Sequence, residues 1–418
     1  MDKIFAWLDR VLIPVMTRLS EQRHLRAVRD GIVATIPLII VGSFFLIIAF
    51  PPLPSLAALV KPYTAQILMP FRLTMGLMAL YAAHSIGYHL ARSYKLDGVA
   101  GGTLALAAFL LTSLPVTIEG QGLALLMENL GGGGMFVAIL MAVFAVEILR
   151  FAKEKKITIR MPEGVPDSVA RSFEALVPAG IIIPAVWAVR HLAGFDIHHA
   201  ATQVFAPLVT AGNTLAGVLA PIILITLLWA TGIHGDSVVG TVARPVWLVL
   251  LDQNIAAAAA GQPIPNIAPE PFFQWFVWIG GSGATIGLVV LMMRSRSAYL
   301  RGVGRAAFLP GVCNINEPVI FGAPVMLNPL LFVPFLAGPI VMGVIAWLAM
   351  HFGFVTKPYI LVPWTLPAPI GAYLATGGDW RAIILATVNI LVATALYVPF
   401  FKAYERKLLK EYEQEDHQ

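Results

Sequence analysis

The chain has 418 residues, of which 58% are hydrophobic and 12% charged, with a mean hydropathy of +0.80 and a formal charge of +5. A soluble domain carries about 25% charged residues, so this composition excludes a soluble enzyme or binding module and marks a polytopic membrane protein. The basic excess is not a nucleic-acid surface: most of the 28 Lys and Arg fall in 1–29, at Arg92 and Lys95, and in 150–171, 294–305 and 402–410, without interleaved aromatics. That is the signature of cytoplasmic loops under the positive-inside rule, and it places both termini in the cytoplasm.

Residues 1–29 carry Ile4, Phe5, Leu8, Leu12 and Val15 at helical spacing with Asp9, Arg10 and Arg18 opposite, which predicts an amphipathic helix lying on the inner leaflet rather than a signal peptide. Residues 30–194 read as five regular spans with clean loops. The segment 195–213, "FDIHHAATQVFAPLVTAGN", is polar enough for an interfacial linker. Residues 214–401 break the rules of ordinary spans repeatedly, in "WATGIHGDSVVGTVARP", "GQPIPNIAPEPFFQW", "CNINEPVIFGAPVMLNP" and "KPYILVPWTLPAPIGAYLATGG". A cytoplasmic tail, 402–418, follows. Apolar runs at 31–50, 75–90, 134–149, 216–229, 330–347 and 383–401 lead a set of about ten spans, long enough for a core of about 30 Å.

Interrupted polar segments persist at membrane depth only where protein or a watery cavity satisfies the freed backbone, and in transporters they mark the substrate site. In "NINEP", Pro318 removes a backbone donor and Gly311, Pro324 and Pro329 forbid a continuous helix, so Asn314, Asn316 and Glu317 are expected at the tip of a re-entrant hairpin. In "GIHGDS", Gly232 and Gly235 bracket His234, with Asp236 and Ser237 following. Carboxylate, amide, imidazole and hydroxyl groups together suit a polyol better than a simple ion. Trp364, in "PWTLPAP", adds a flat face of the kind that covers a sugar ring.

Plainer roles compete for each residue. Glu317 is otherwise half of an ion pair with Arg244, His234 a helix-end histidine, and Trp364 an interfacial anchor. His84, His89, His198 and His199 fit surface or packing positions, and no HExxH or other metal spacing occurs. "GGSGATIG", 280–287, lacks the lysine and strand of a phosphate loop and is explained by close helix packing. The single cysteine, Cys313, excludes an intrachain disulfide and a thiolate metal cluster and fills space. No cofactor is expected.

"GVCNINEPVIFGAPVMLNP", with "GIHGD" before it and "PWTLPAPIGAYLATGGDW" after it, resembles the membrane-embedded enzyme IIC of bacterial phosphoenolpyruvate-dependent phosphotransferase systems, in the lactose and cellobiose (N,N'-diacetylchitobiose) family. The resemblance extends in order over essentially the whole chain. It implies an all-α integral membrane protein of the bacterial inner membrane, a homodimer with two re-entrant hairpins and an elevator-type mechanism. On that basis 30–194 is the scaffold and dimerisation domain and 214–401 the transport domain. The resemblance also implies a disaccharide cargo whose C6 hydroxyl meets His234 and Glu317, with Asn316 and Trp364 lining the site and Asp236, Ser237 and Asn314 flanking it. The phosphoryl group comes from a cysteine on phosphorylated enzyme IIB, expected as a separate cytoplasmic partner. Either Glu317 or neutral His234 serves as the base, and a proton-coupled secondary sugar transporter fits the composition and broken helices equally well. A channel or scaffold fits less well.

Overall fold

The computed structural model describes residues 18, 21–51, 54–120, 122–159, 162, 173–230, 232–323, 325 and 328–415. Of the amphipathic helix expected over 1–29, residues 1–17, 19 and 20 lie outside them, and the chain is helical from Arg23 onward. In chain order the helices are α1 (Arg23–Val33), α2 (Ile36–Ala49), α3 (Pro54–Val60), α4 (Thr64–Thr74), α5 (Met78–Ser93), α6 (Gly98–Leu110), α7 (Met135–Glu154), α8 (Leu176–Trp187), α9 (Ile197–Gly212) and α10 (Leu215–Ala230). There follow α11 (Gly235–Ala259), α12 (Glu270–Phe276), α13 (Ile286–Met293), α14 (Ala298–Val312), α15 (Glu317–Gly322), α16 (Pro329–His351), α17 (Ala368–Ala375) and α18 (Trp380–Glu415). The architecture is mostly helical; among the described residues one short strand pair departs from it, β1 (Val116–Ile118) antiparallel to β2 (Gly122–Ala124), with the β-branched Val116, Thr117 and Ile118 all on β1.

Among the described residues, five helical stretches are long and apolar enough to cross a membrane: Arg23–Ala49, Ala58–Ser93, Gly132–Glu154, Leu330–His351 and Trp380–Glu411. A sixth is formed if α8 with its π-helical extension and α9, bent by 86°, count as one span. Two further apolar helices, Gly98–Leu110 and Leu215–Trp229, are shorter, and the second stops just before Gly232.

The chain divides into two compact units. In the first, residues 19–45 and 65–209, α5 is the central helix and packs on α1, α6 and α7. Lipid tails are as apolar as leucine, so helices in a bilayer associate through close contact rather than through the hydrophobic effect. Small residues supply that contact. Gly101 on α6 lies so near α5 that a Cβ there would stand 2.4 Å from the Ala91 Cβ and 2.8 Å from the Gly87 carbonyl oxygen. Asp97 opens α6 by accepting the Ala100 N–H at 2.7 Å.

In the second unit, which includes residues 46–64 and 210–418, α16 packs on α18 and α10, α13 packs on α14 and α18, and α12 packs on α17. Its core is aromatic, with Trp275, Phe272, Phe276, Phe335 and Tyr397 fully buried. Broken backbone is satisfied by side-chain amides rather than by more helix. Asn389 of α18, wholly buried, donates to the Phe276 carbonyl at the end of α12, at 2.7 Å. The non-helical stretch before α12 is held in the same way. Asn254 donates to the Asn266 carbonyl and accepts its N–H, both at 2.8 Å, while Asn213 Oδ1 accepts the Ile267 and Ala268 N–H groups.

Candidate functional site

The second unit's broken segments meet at the loop between α12 and α13. The chain leaves α10 at Ala230 and re-enters a helix at Gly235, with His234 as the N-cap of α11. His234 Nδ1 accepts the Ser237 backbone N–H at 3.3 Å and lies 3.0 Å from Ser237 Oγ. A nitrogen that accepts a backbone N–H carries no proton, so the neutral ring bears its hydrogen on Nε2. The Trp229 ring lies against the imidazole, with centroids 4.4 Å apart. Two residues on, Asp236 Oδ2 accepts from Trp229 Nε1 at 3.0 Å and from Ser282 Oγ at 2.5 Å.

Ser282 is the centre of the arrangement. Its carbonyl accepts from Asn316 Nδ2 at 2.5 Å, so one buried serine bridges the α10–α11 junction and the "NINEP" turn. The loop around it is held in left-handed conformations, with φ of +92° at Gly281 and +56° at Ala284. Gly281 is required twice over, since a Cβ there would stand 2.4 Å from Asn316 Cγ. A left-handed alanine is uncommon and costs energy that the surroundings must repay. Tyr397 OH, donating to the Gly283 carbonyl at 2.7 Å, and Thr285 Oγ1, donating to the Gly280 carbonyl at 2.5 Å, are what hold it.

Asn314, itself left-handed at φ +62°, links this loop to a further segment. Its Oδ1 accepts the Gly280 N–H at 2.9 Å, and its Nδ2 donates to the carbonyls of Trp364 at 2.8 Å and Leu366 at 3.0 Å. Four stretches distant in sequence, around His234, Ser282, Asn316 and Trp364, therefore converge through one set of hydrogen bonds. Burial sorts the members: Asn314, Asn316 and Ser282 are buried, Asp236 and Ser237 half-buried, and His234, Glu317 and Trp364 exposed.

Glu317 opens α15, directly after Asn316. The alternative ion pair with Arg244 does not form, because that guanidinium meets Glu270 at 3.0 Å, and Glu317 makes no ion pair with a described residue. Cys313 ends α14, half-buried. His198, expected in packing, is buried in the first unit, 2.8 Å from Thr112 Oγ1 and edge-on to Phe109.

The loop 280–285 is the part of the site that sequence reasoning passes over. Its glycines look like packing glycines, and the signal available was the serine among them, flanked by more glycine than helix contact needs.

The family model described as "Phosphotransferase system, EIIC" matches residues 29–339. The cellobiose-specific EIIC component of Geobacillus stearothermophilus is 39% identical over 97% of this chain and 95% of its own length. A lactose-specific EIICB component of Staphylococcus haemolyticus is 32% identical, covering 98% of this chain and 72% of that protein. The crystal structure of the transporter ChbC, the IIC component of an N,N'-diacetylchitobiose-specific phosphotransferase system, superposes with a TM-score of 0.92 at 39% identity, over 97% of this chain and 99% of that one. The membrane composition, the broken-helix site and these matches lead to one assignment: the chain belongs to the EIIC family of phosphotransferase-system membrane components.

Proposed function

We propose that this EIIC protein carries a disaccharide of the cellobiose, diacetylchitobiose and lactose class across the bacterial inner membrane and presents its C6 hydroxyl to phosphorylated enzyme IIB. One observation carries the reading: the three exposed groups, His234, Glu317 and Trp364, stand on segments locked together by buried hydrogen bonds through Ser282 and Asn314. Such an arrangement fixes the reactive groups before the cargo arrives. The specificities named for the cellobiose and diacetylchitobiose relatives support the cargo class. The lactose relative, named as a joined C and B component, supports IIB as the partner.

The Trp364 ring covers an apolar sugar face. His234, with its proton on Nε2, donates to a sugar oxygen, which leaves Glu317 as the acceptor of the C6 hydroxyl proton. As the hydroxyl oxygen bonds to phosphorus, the sulfur–phosphorus bond of the IIB phosphocysteine breaks, the thiolate leaves and the proton passes to Glu317. Positioning does most of the work, since the acceptor side of phosphoryl transfer demands little covalent chemistry. Asp236, Ser237, Asn314 and Asn316 complete the site, chiefly by holding it. The protein works as a homodimer with both termini cytoplasmic; 30–194 is the scaffold, and 214–401 moves with its sugar as an elevator of about ten spans and two re-entrant hairpins.

The test is uptake into proteoliposomes of radiolabelled cellobiose, diacetylchitobiose and lactose, with and without phosphorylated IIB inside. Accumulation as the 6-phosphate only when phosphorylated IIB is present is the expected result. Accumulation of free sugar against its gradient, driven by an imposed proton gradient without IIB, would overturn it in favour of a secondary transporter.

A further inference from the structure

A charged cleft in the first unit lies apart from the sugar site. It has a volume of about 510 Å³ between the start of α1 and the end of α5, and its lining includes Glu21, Arg23, Arg26, Asp30, His89 and Arg92. Most of the negative charge nearby is already spent. Arg29 takes Asp30 at 2.7 Å, leaving Arg26 at 4.0 Å from it. Glu147, close behind, is bound by Arg150 at 2.8 Å, His24 at 2.9 Å and the Tyr94 hydroxyl at 2.6 Å. Arg23 lies over the Tyr94 ring, 4.3 Å from its centroid, and Arg92 makes no ion pair with a described residue. Glu21 is then the one carboxylate on the wall without an ion pair among the described residues, against three guanidinium groups.

The position of the cleft says what such charge is for. The apolar span Arg23–Ala49 begins at it and the span Ala58–Ser93 ends at it, so it sits at the depth of lipid headgroups. Beyond it, α1 and α2 expose Val33, Leu38 and Val41, a surface suited to acyl chains. Guanidinium groups bind phosphate oxygens in pairs, and basic pockets at the cytoplasmic ends of membrane helices hold anionic headgroups. A volume of this order suits a small polar group rather than a protein surface.

We propose that this cleft binds the phosphate of an anionic phospholipid headgroup, with Arg26 and Arg92 as its principal ligands and Arg23 beside them. The site is independent of the sugar chemistry.

The experiment is thermal unfolding of the full-length protein in a neutral detergent, titrated with phosphatidylglycerol, phosphatidylcholine or inorganic phosphate, on wild type and the double variant Arg26→Gln, Arg92→Gln. Phosphatidylglycerol is expected to raise the wild-type midpoint saturably by about 5 °C, with neither other additive doing so and with the variant losing the shift while keeping its lipid-free midpoint. An equal shift with phosphatidylcholine, or an equal shift in the variant, would overturn the site. A full shift with inorganic phosphate would overturn the lipid as its occupant. Should the double variant fail to fold, Arg92→Gln alone serves, since that exposed side chain makes no ion pair to lose, and it is expected to weaken the lipid response at least threefold in concentration.

Discussion

At the scale of single residues, the proposed site separates exposed polar groups from buried ones that hold the segments together. Glu317 and His234 are exposed at its surface, and the hydrogen bond from the Ser237 N–H to Nδ1 gives the imidazole a donor's role. Glu317→Gln is therefore expected to lower IIB-dependent sugar phosphorylation by about 100-fold or more, the usual size of a lost general base, with sugar binding changed far less. His234→Gln, which retains a donor, is expected to keep more activity than Glu317→Gln. Rates and binding measured on both variants decide the assignment, and the reverse order would give the base to His234. Ser282 makes no claim to the chemistry, yet its hydroxyl satisfies Asp236 and its carbonyl holds Asn316. Ser282→Ala leaves a half-buried carboxylate short of a charge-assisted bond, so the uptake KM is expected to rise about tenfold, from a loss of roughly 1.5–3 kcal/mol shared between folding and binding.

At the scale of elements, the two units use different means of holding helices together. The first depends on contact between small residues, and the second on amides that bond to interrupted backbone. Gly101→Leu would force α6 away from α5, where a Cβ alone already meets Ala91 at 2.4 Å. Overpacking of a dense interior costs about 1–3 kcal/mol or more, and loss of monodisperse protein in size-exclusion chromatography is the expected outcome. The left-handed turns of the loop 280–285 were not legible in the sequence, where the run reads as close helix packing, because a glycine that admits a neighbouring helix and a glycine that bends a loop around an asparagine are the same letter. Only the position of Asn316 distinguishes them.

At the scale of the whole molecule, every residue proposed for the sugar site belongs to the unit that contains 210–418, and the basic cleft belongs to the other. The stability of the site-bearing unit has a feature that pH reveals. Outside the membrane spans, Asp379 is partly buried, which alone would raise its pKa, but hydrogen bonds from the Arg381 side chain at 2.9 Å and the Thr356 N–H at 2.8 Å outweigh that and lower it to about 2. An unfolded aspartate titrates near 3.9. A depressed carboxylate stabilises the fold above the unfolded value, and the contribution disappears as pH falls toward about 2. The unfolding midpoint in detergent is thus expected to drop between about pH 4 and pH 2, and Asp379→Asn should remove that part of the drop while costing on the order of 2 kcal/mol near neutral pH.

Composition and charge distribution by themselves determined that the chain lives in a membrane and which loops are basic, because those properties are sums over residues and need no geometry. The cluster "NINEP", "GIHGD" and "PWTLPAP" likewise marked the polar segments, since an apolar chain has few reasons to place Asn and Glu between prolines. Which groups bond to which was decided only by the tertiary structure. The sequence expects Asn314 and Asn316 at the site, and the structure adds that their amides bond to the backbone of Gly280, Ser282 and Trp364. The pairing of Arg244 with Glu270 rather than Glu317 follows from the same cause. Hydrogen bonds between segments far apart in the chain have short range and strict direction, so they exist only once folding has brought their partners within 3 Å.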